Sequence, residues 1–168
     1  MKHHGPRYHV KPRRQRQGRT DYRKRLHLLK SRETRIVVRK SLKQTRVQFI
    51  GYQIHGDKIF VSASSSELSK NYNWKHPVSN TSAAYLTGLL AGKRAHEQGI
   101  SSGILDIGRA IPTTGSKLFA ALKGVIDAGI TCPYDEAKLP SEDRLMGKHL
   151  EKDLSTQVTK IKQQILEA

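Results

Sequence analysis

Most of the positive charge of this chain is packed into its first quarter, and that partition limits the possible folds more than any single motif does. Residues 1–46 contain 17 Lys and Arg against only Asp21 and Glu33, a net of +15. The other 122 residues carry 14 basic and 12 acidic side chains, a net of +2. Residues 1–19 hold Arg7, Lys11, Arg13, Arg14, Arg16 and Arg19 with Pro6, Pro12, Gly5 and Gly18, and have almost nothing apolar to bury. Such a segment cannot offset its own ordering entropy, so it is expected to be an arm that orders on a partner. A solvated tail or a localisation signal would share its composition. Arginine dominance favours RNA, because guanidinium groups clamp phosphates bidentately and stack on exposed bases. If about six of these residues neutralise phosphates, log affinity should fall against log salt with a slope of about −4 to −5.

The rest of the composition narrows the class. At 168 residues the chain suits one domain with tails, and a sequence pI of about 10.3 calls for a polyanion, nucleic acid first. Cys132 is the single cysteine and cannot close an internal disulfide, which fits a cytoplasmic setting. No apolar run reaches the length of a membrane span, and none of the signal-peptide kind follows Met1.

Along the chain, Thr20 and Asp21 can cap a helix running to about Lys30, with Tyr22, Leu26 and Leu29 on one face and Arg23, Lys24 and Arg25 mostly on the other. Residues 34–40, 45–54 and 58–64 are rich in β-branched and aromatic residues and predict a three-strand meander. A period of two puts Arg35, Val37 and Arg39 on one face of the first strand and Ile36 and Val38 on the other. In the second strand it sets Arg46 and Gln48 opposite Val47 and Phe49. One sheet face should therefore be apolar and the other basic, either as a solvated outer face or, beside the arm, as a binding face. Residues 66–79 read as irregular. Asn80 or Thr81 then opens a helix ending near Gly99, whose Ala84, Gly88 and Gly92 permit close approach, expected to be to the sheet.

Residues 104–108 look like a short buried strand, and 116–129 like a second helix with Leu118, Phe119, Leu122, Val125 and Ile126 inward. Leu150, Leu154, Val158, Ile161 and Ile165 form a one-sided stripe on a C-terminal helix that covers the body or meets a protein. The expected architecture is α/β, with α+β character: a mixed sheet made of a three-strand meander followed by helix, strand and helix, with a basic N-terminal arm and a C-terminal helix. It divides into an arm at 1–19, a globular RNA-binding domain at 20–140 and a helical extension at 141–168.

Catalytic signatures are missing. The eight histidines show no zinc-type spacing around Cys132, so no metal site is expected, and no nucleophile elbow, zincin helix or dinucleotide turn occurs. Thr113-Thr114-Gly115-Ser116-Lys117 is not a nucleotide P-loop. Thr114, Ser116 and Lys117 nevertheless offer hydroxyls and an ammonium at a helix N-terminus, where an RNA phosphate could sit; an ordinary capped helix start is the other reading.

Several segments together resemble a known family. They are Arg13-Arg14-Gln15-Arg16, Thr20-Asp21-Tyr22, residues 25–31 (Arg-Leu-x-Leu-Leu-Lys-Ser), residues 80–92, Leu105-Asp106-Ile107-Gly108, Thr114-Gly115 and residues 121–129. In this order, across residues 5 to 150, they are similar to the archaeal type of the universal large-subunit ribosomal protein number eighteen. Ser41-Leu42 departs from the Ser-Asn of many archaeal members. The resemblance implies a structural component of the large ribosomal subunit that binds 5S rRNA and helps attach it to 23S rRNA in the central protuberance. Neighbouring large-subunit proteins would be its other partners, with no cofactor, membrane or small-molecule substrate. By position, family RNA contacts map onto Arg13, Arg14, Arg16, Arg19, Tyr22, Arg35 and Arg39; charge adds Arg7, Lys11, Arg23, Arg25 and Arg46. The alternative is a metal-dependent RNA nuclease on a ribonuclease-H-like body, resting on Asp106 with Asp57 and Asp127. A general nucleic-acid chaperone would need only the arm.

Overall fold

In a computed structural model, which describes residues 5–150 and 152–167, the chain folds around a four-stranded mixed sheet in the order β3-β2-β1-β4. The first four positions of the expected arm, and Glu151 and Ala168 in the expected extension, lie outside the described residues. Strands β1 (Arg35–Lys40), β2 (Thr45–Gly51) and β3 (Lys58–Ser64) form the expected antiparallel meander, and β4 (Ile104–Asp106) joins β1 in parallel. Pairing of Val38 with Val47 and of Phe49 with Val61 aligns the apolar face in register. The second strand stops at Gly51 rather than Ile54. A Cβ there would run into the Phe60 ring, and Tyr52 and Ile54 turn out to solvent.

Helices α1 (Arg13–Arg16) and α2 (Tyr22–Lys30) precede the sheet; α3 (Ser65–Asn71), α4 (Thr81–Glu97), α5 (Lys117–Asp127), α6 (Glu142–Met146) and α7 (Lys152–Glu167) follow its strands. Helix α3 replaces the irregular chain expected there. Its signal is Ser64 followed three residues later by Glu67, whose carboxylate accepts the Ser64 N–H at 2.8 Å. Leu68 alone anchors it to the core, so its apolar period is too thin to read.

Helices α4 and α5 cover the apolar face, burying Ile36, Val38, Val47, Phe49, Val61 and Ala63 against Leu86, Leu89, Leu118 and Leu122. The small-residue stripe serves a different contact from the one expected. A Cβ on Gly88 would collide with the Ala121 carbonyl, and one on Gly124 with that of Tyr85, so these glycines bring α4 against α5 rather than against the sheet. Helix α7 packs against α4, with Leu154, Val158, Ile161 and Ile165 wholly inside. Leu150, expected on the same stripe, lies in the turn before α7 and is 55% exposed. At roughly 1.5–3 kcal/mol for each fully buried aliphatic side chain, the four remaining residues suffice to hold α7 on the body.

Candidate nucleic-acid interface

The other sheet face is built from the arm inward. Pro12, with φ fixed near the helical value, starts the single turn of α1, which fans Arg13, Arg14 and Arg16 around one axis. Gly18, at φ +66°, reverses the chain, and the Arg14 carbonyl accepts the Arg19 N–H at 2.9 Å while Arg14 Nε donates to Thr20 Oγ1 at 3.0 Å. The segment expected to stay unfolded alone thus has local structure. Asp21 then caps α2, accepting the N–H groups of Arg23 at 3.0 Å and Lys24 at 3.2 Å. The Lys24 bond, ahead of other causes, holds its carboxyl below the ordinary value.

Helix α2 stands across the sheet instead of burying an apolar side. Tyr22 and Leu26, expected on its apolar face, are exposed, and no residue of α2 is fully buried. One side chain ties it down: Arg25 donates to both carboxylate oxygens of Asp57 at 2.8 and 2.9 Å. Asp57, in the turn between β2 and β3, also accepts from Arg35 at 2.7 Å, and Arg35 donates to Asp106 at 3.0 Å. Burial by itself would raise the Asp57 carboxyl, but hydrogen bonds from Arg25 and Arg35 outweigh it and hold the group below its ordinary value. Arg35 is only 3% exposed and lies at the floor. Above it, Arg39 donates to the second oxygen of Asp106 at 3.0 Å, an oxygen that also caps the Gly108 N–H at 2.8 Å.

Between α2, β1 and β4 lies a cleft of about 1000 Å³, lined among the described residues by eight Lys and Arg side chains and three carboxylates. Those carboxylates, Asp21, Asp57 and Asp106, are all engaged within the protein. Arg19 and Lys24 also line the cleft and, among the described residues, form no ion pair. Outside it, Arg7, Lys11, Arg13, Arg16 and Arg23 are exposed and likewise unpaired among the described residues. Arg46 is exposed and sits directly across the strand pair from Arg39. Like charges in that register repel unless an anion lies between them.

Arg109 is a cleft residue that the sequence did not single out. It follows β4 as a lone arginine with no motif around it. Only tertiary structure sets its guanidinium beside Gly18 of the arm and close enough to Asp21 to be felt there electrostatically. The loop at 113–117 stands apart from the cleft: its helix sends Leu118 to the lining, while Thr114, Ser116 and Lys117 stay outside it. Ser116 Oγ is buried without a hydrogen-bond partner among the described residues.

Against known families, residues 6–101 match the model described as "Ribosomal large subunit proteins 60S L5, and 50S L18". The chain belongs to this ribosomal protein family. Its relatives include the large ribosomal subunit protein uL18 of Korarchaeum cryptofilum, 54% identical over 86% of this chain and 73% of that protein. The uL18 of Methanococcoides burtonii is 48% identical over 87% of this chain and 84% of its own length. That of Haloarcula marismortui is 49% identical over 87% and 78%. As a member of the L18 and L5 family, the chain is a ribosomal protein of the large subunit and resides with the ribosome in the cytoplasm. The family match spans the arm, α2, the whole meander and α4, so it includes most of the basic face just described.

Proposed function

We propose that this protein binds 5S rRNA and helps attach it to 23S rRNA in the central protuberance, without catalytic activity. The observation that carries the reading is the sorting of charge on one face. Every carboxylate lining the cleft is consumed by a cap or by Arg25, Arg35 and Arg39, while Arg13, Arg16, Arg19, Arg23 and Arg46 are left for phosphate. On this reading Arg25 and Arg35 position the surface, and Arg7, Lys11, Arg14, Arg39 and Arg109 join the contacts, with Tyr22 exposed for stacking. The exposed Thr114 hydroxyl, with Lys117, forms a lesser phosphate contact, while Ser116, its Oγ buried, joins through its position at the start of α5. Neighbouring large-subunit proteins would meet the surfaces that RNA leaves open.

The arrangement of its donors speaks against the nuclease alternative. Two-metal chemistry needs free, converging carboxylates. Both oxygens of Asp106 face guanidinium groups, and Asp127 is held by Lys123 at 2.9 Å and by the Tyr85 hydroxyl at 2.8 Å. Binding of labelled 5S rRNA at nanomolar protein in moderate salt, preferred over tRNA of similar length, is the expected result; equal affinity for both would refute it. Incubation with Mg²⁺ or Mn²⁺ should leave the RNA intact.

A further inference from the structure

We propose a second RNA-binding surface on the helical side of the sheet: the groove between α7 and the connection from Asn71 to His76, which takes an irregular or single-stranded segment of ribosomal RNA. This rests on the reading of the chain as an rRNA-binding protein, but on different residues. The apolar stripe of α7 is used up against α4, so what the helix offers outward is its polar flank, where Thr156, Lys160 and Gln164 recur every fourth residue along the groove. The facing wall carries Tyr72, Asn73, Lys75 and His76, and the space between is about 900 Å³.

Three properties of this groove point to RNA. Among the described residues its lining contains two lysines, a histidine and no carboxylate, so it suits an anion. It also contains four amide side chains, those of Asn71, Asn73, Gln157 and Gln164, and a half-buried tyrosine. Amides and an aromatic ring read base edges, ribose hydroxyls and base faces, for which an acidic peptide has no use. Finally, the wall is preset. Asn73 is held at φ +55°, a conformation uncommon for a side-chain-bearing residue, and its carbonyl accepts from Gln157 Nε2 at 3.0 Å. Gln157, its Oε1 shielded from solvent, is thereby fixed in the wall rather than free to swing out.

The test uses the full chain and its Lys75→Ala/Lys160→Ala variant, with transcribed 5S rRNA and, in a second titration of the protein–5S complex, transcribed large-subunit rRNA. Both lysines are exposed, and circular dichroism should report an unchanged fold. The variant should keep its 5S affinity within about twofold, lose about tenfold toward the large-subunit rRNA, and show a salt slope smaller by about 1.4, the value for two single-strand phosphates. Unchanged binding of both RNAs, or equal loss on both, would overturn the proposal. So would a photocrosslinker at position 164 that reacts with a protein rather than RNA in the assembled subunit. If the unmodified chain fails to bind 5S rRNA, the proposed function falls, while titrating the chain and its variant against large-subunit rRNA without 5S rRNA still reports on the groove.

Discussion

Asp57→Asn sets two physical expectations against each other. The substitution raises the positive charge of the protein by one, which by long-range electrostatics alone strengthens binding to any RNA. It also cuts the bonds that fasten α2 to the sheet, since Asp57 holds Arg25 at 2.8 Å and Arg35 at 2.7 Å. Removing one partner of a fully buried pair costs about 3–5 kcal/mol. Asp57 retains 26% side-chain exposure and Arg35 keeps its bond to Asp106, so the expected loss is smaller, about 2 kcal/mol. For a chain of this size that lowers Tm by about 4–8 °C. Because the folded carboxyl lies below its ordinary value of 3.8, the contribution is complete above that pH and disappears as pH falls through the lowered value. The stability difference between the two proteins should accordingly shrink in acid. Urea unfolding from pH 7 downward measures it, and filter binding of 5S rRNA on the same samples gives affinity. Asp143→Asn, which changes charge identically at an exposed site paired only with Lys148, is the control. If positioning of α2 matters, Asp57→Asn binds 5S rRNA more weakly than the control. Equal or tighter binding, or undiminished stability at pH 7, would refute the argument.

Three further outcomes follow from other parts of the structure. Gly88→Ala should destabilise the protein by about 3 kcal/mol or more in chemical denaturation, because the new Cβ meets the backbone of α5 rather than a side chain that can move. Arg109→Ala should leave Tm unchanged and reduce the salt slope of 5S rRNA binding by about one, as expected for one lost phosphate contact. The Cys132 thiol, pushed up to about 11 by burial, should resist a disulfide reagent at pH 8 in the native protein and react at once in denaturant.

The arm, the strands and the long helices were legible because each rests on a local property. Charge density marks residues 1–19, alternation marks β1 and β2, and caps at Asp21 and Asn80 mark the starts of α2 and α4. The C-terminal stripe was legible from Leu154 onward for the same reason. Helix α3 escaped because one buried leucine makes no period, although its capping pair was present.

Which cations remain free could not be read locally. Arg35 and Arg39 look equivalent on an alternating strand, yet Arg35 lies buried between Asp57 and Asp106, 22 and 71 residues away, while Arg39 reaches toward the surface. Arg109 joins the arm for the same kind of reason. The sequence by itself determined that this protein carries a basic front on an α/β body, because total charge and side-chain period are properties of neighbours along the chain. Only the tertiary structure decided which arginines face outward and which are tied down, because a carboxylate neutralises whatever the fold brings within about 3 Å of it, however distant in sequence.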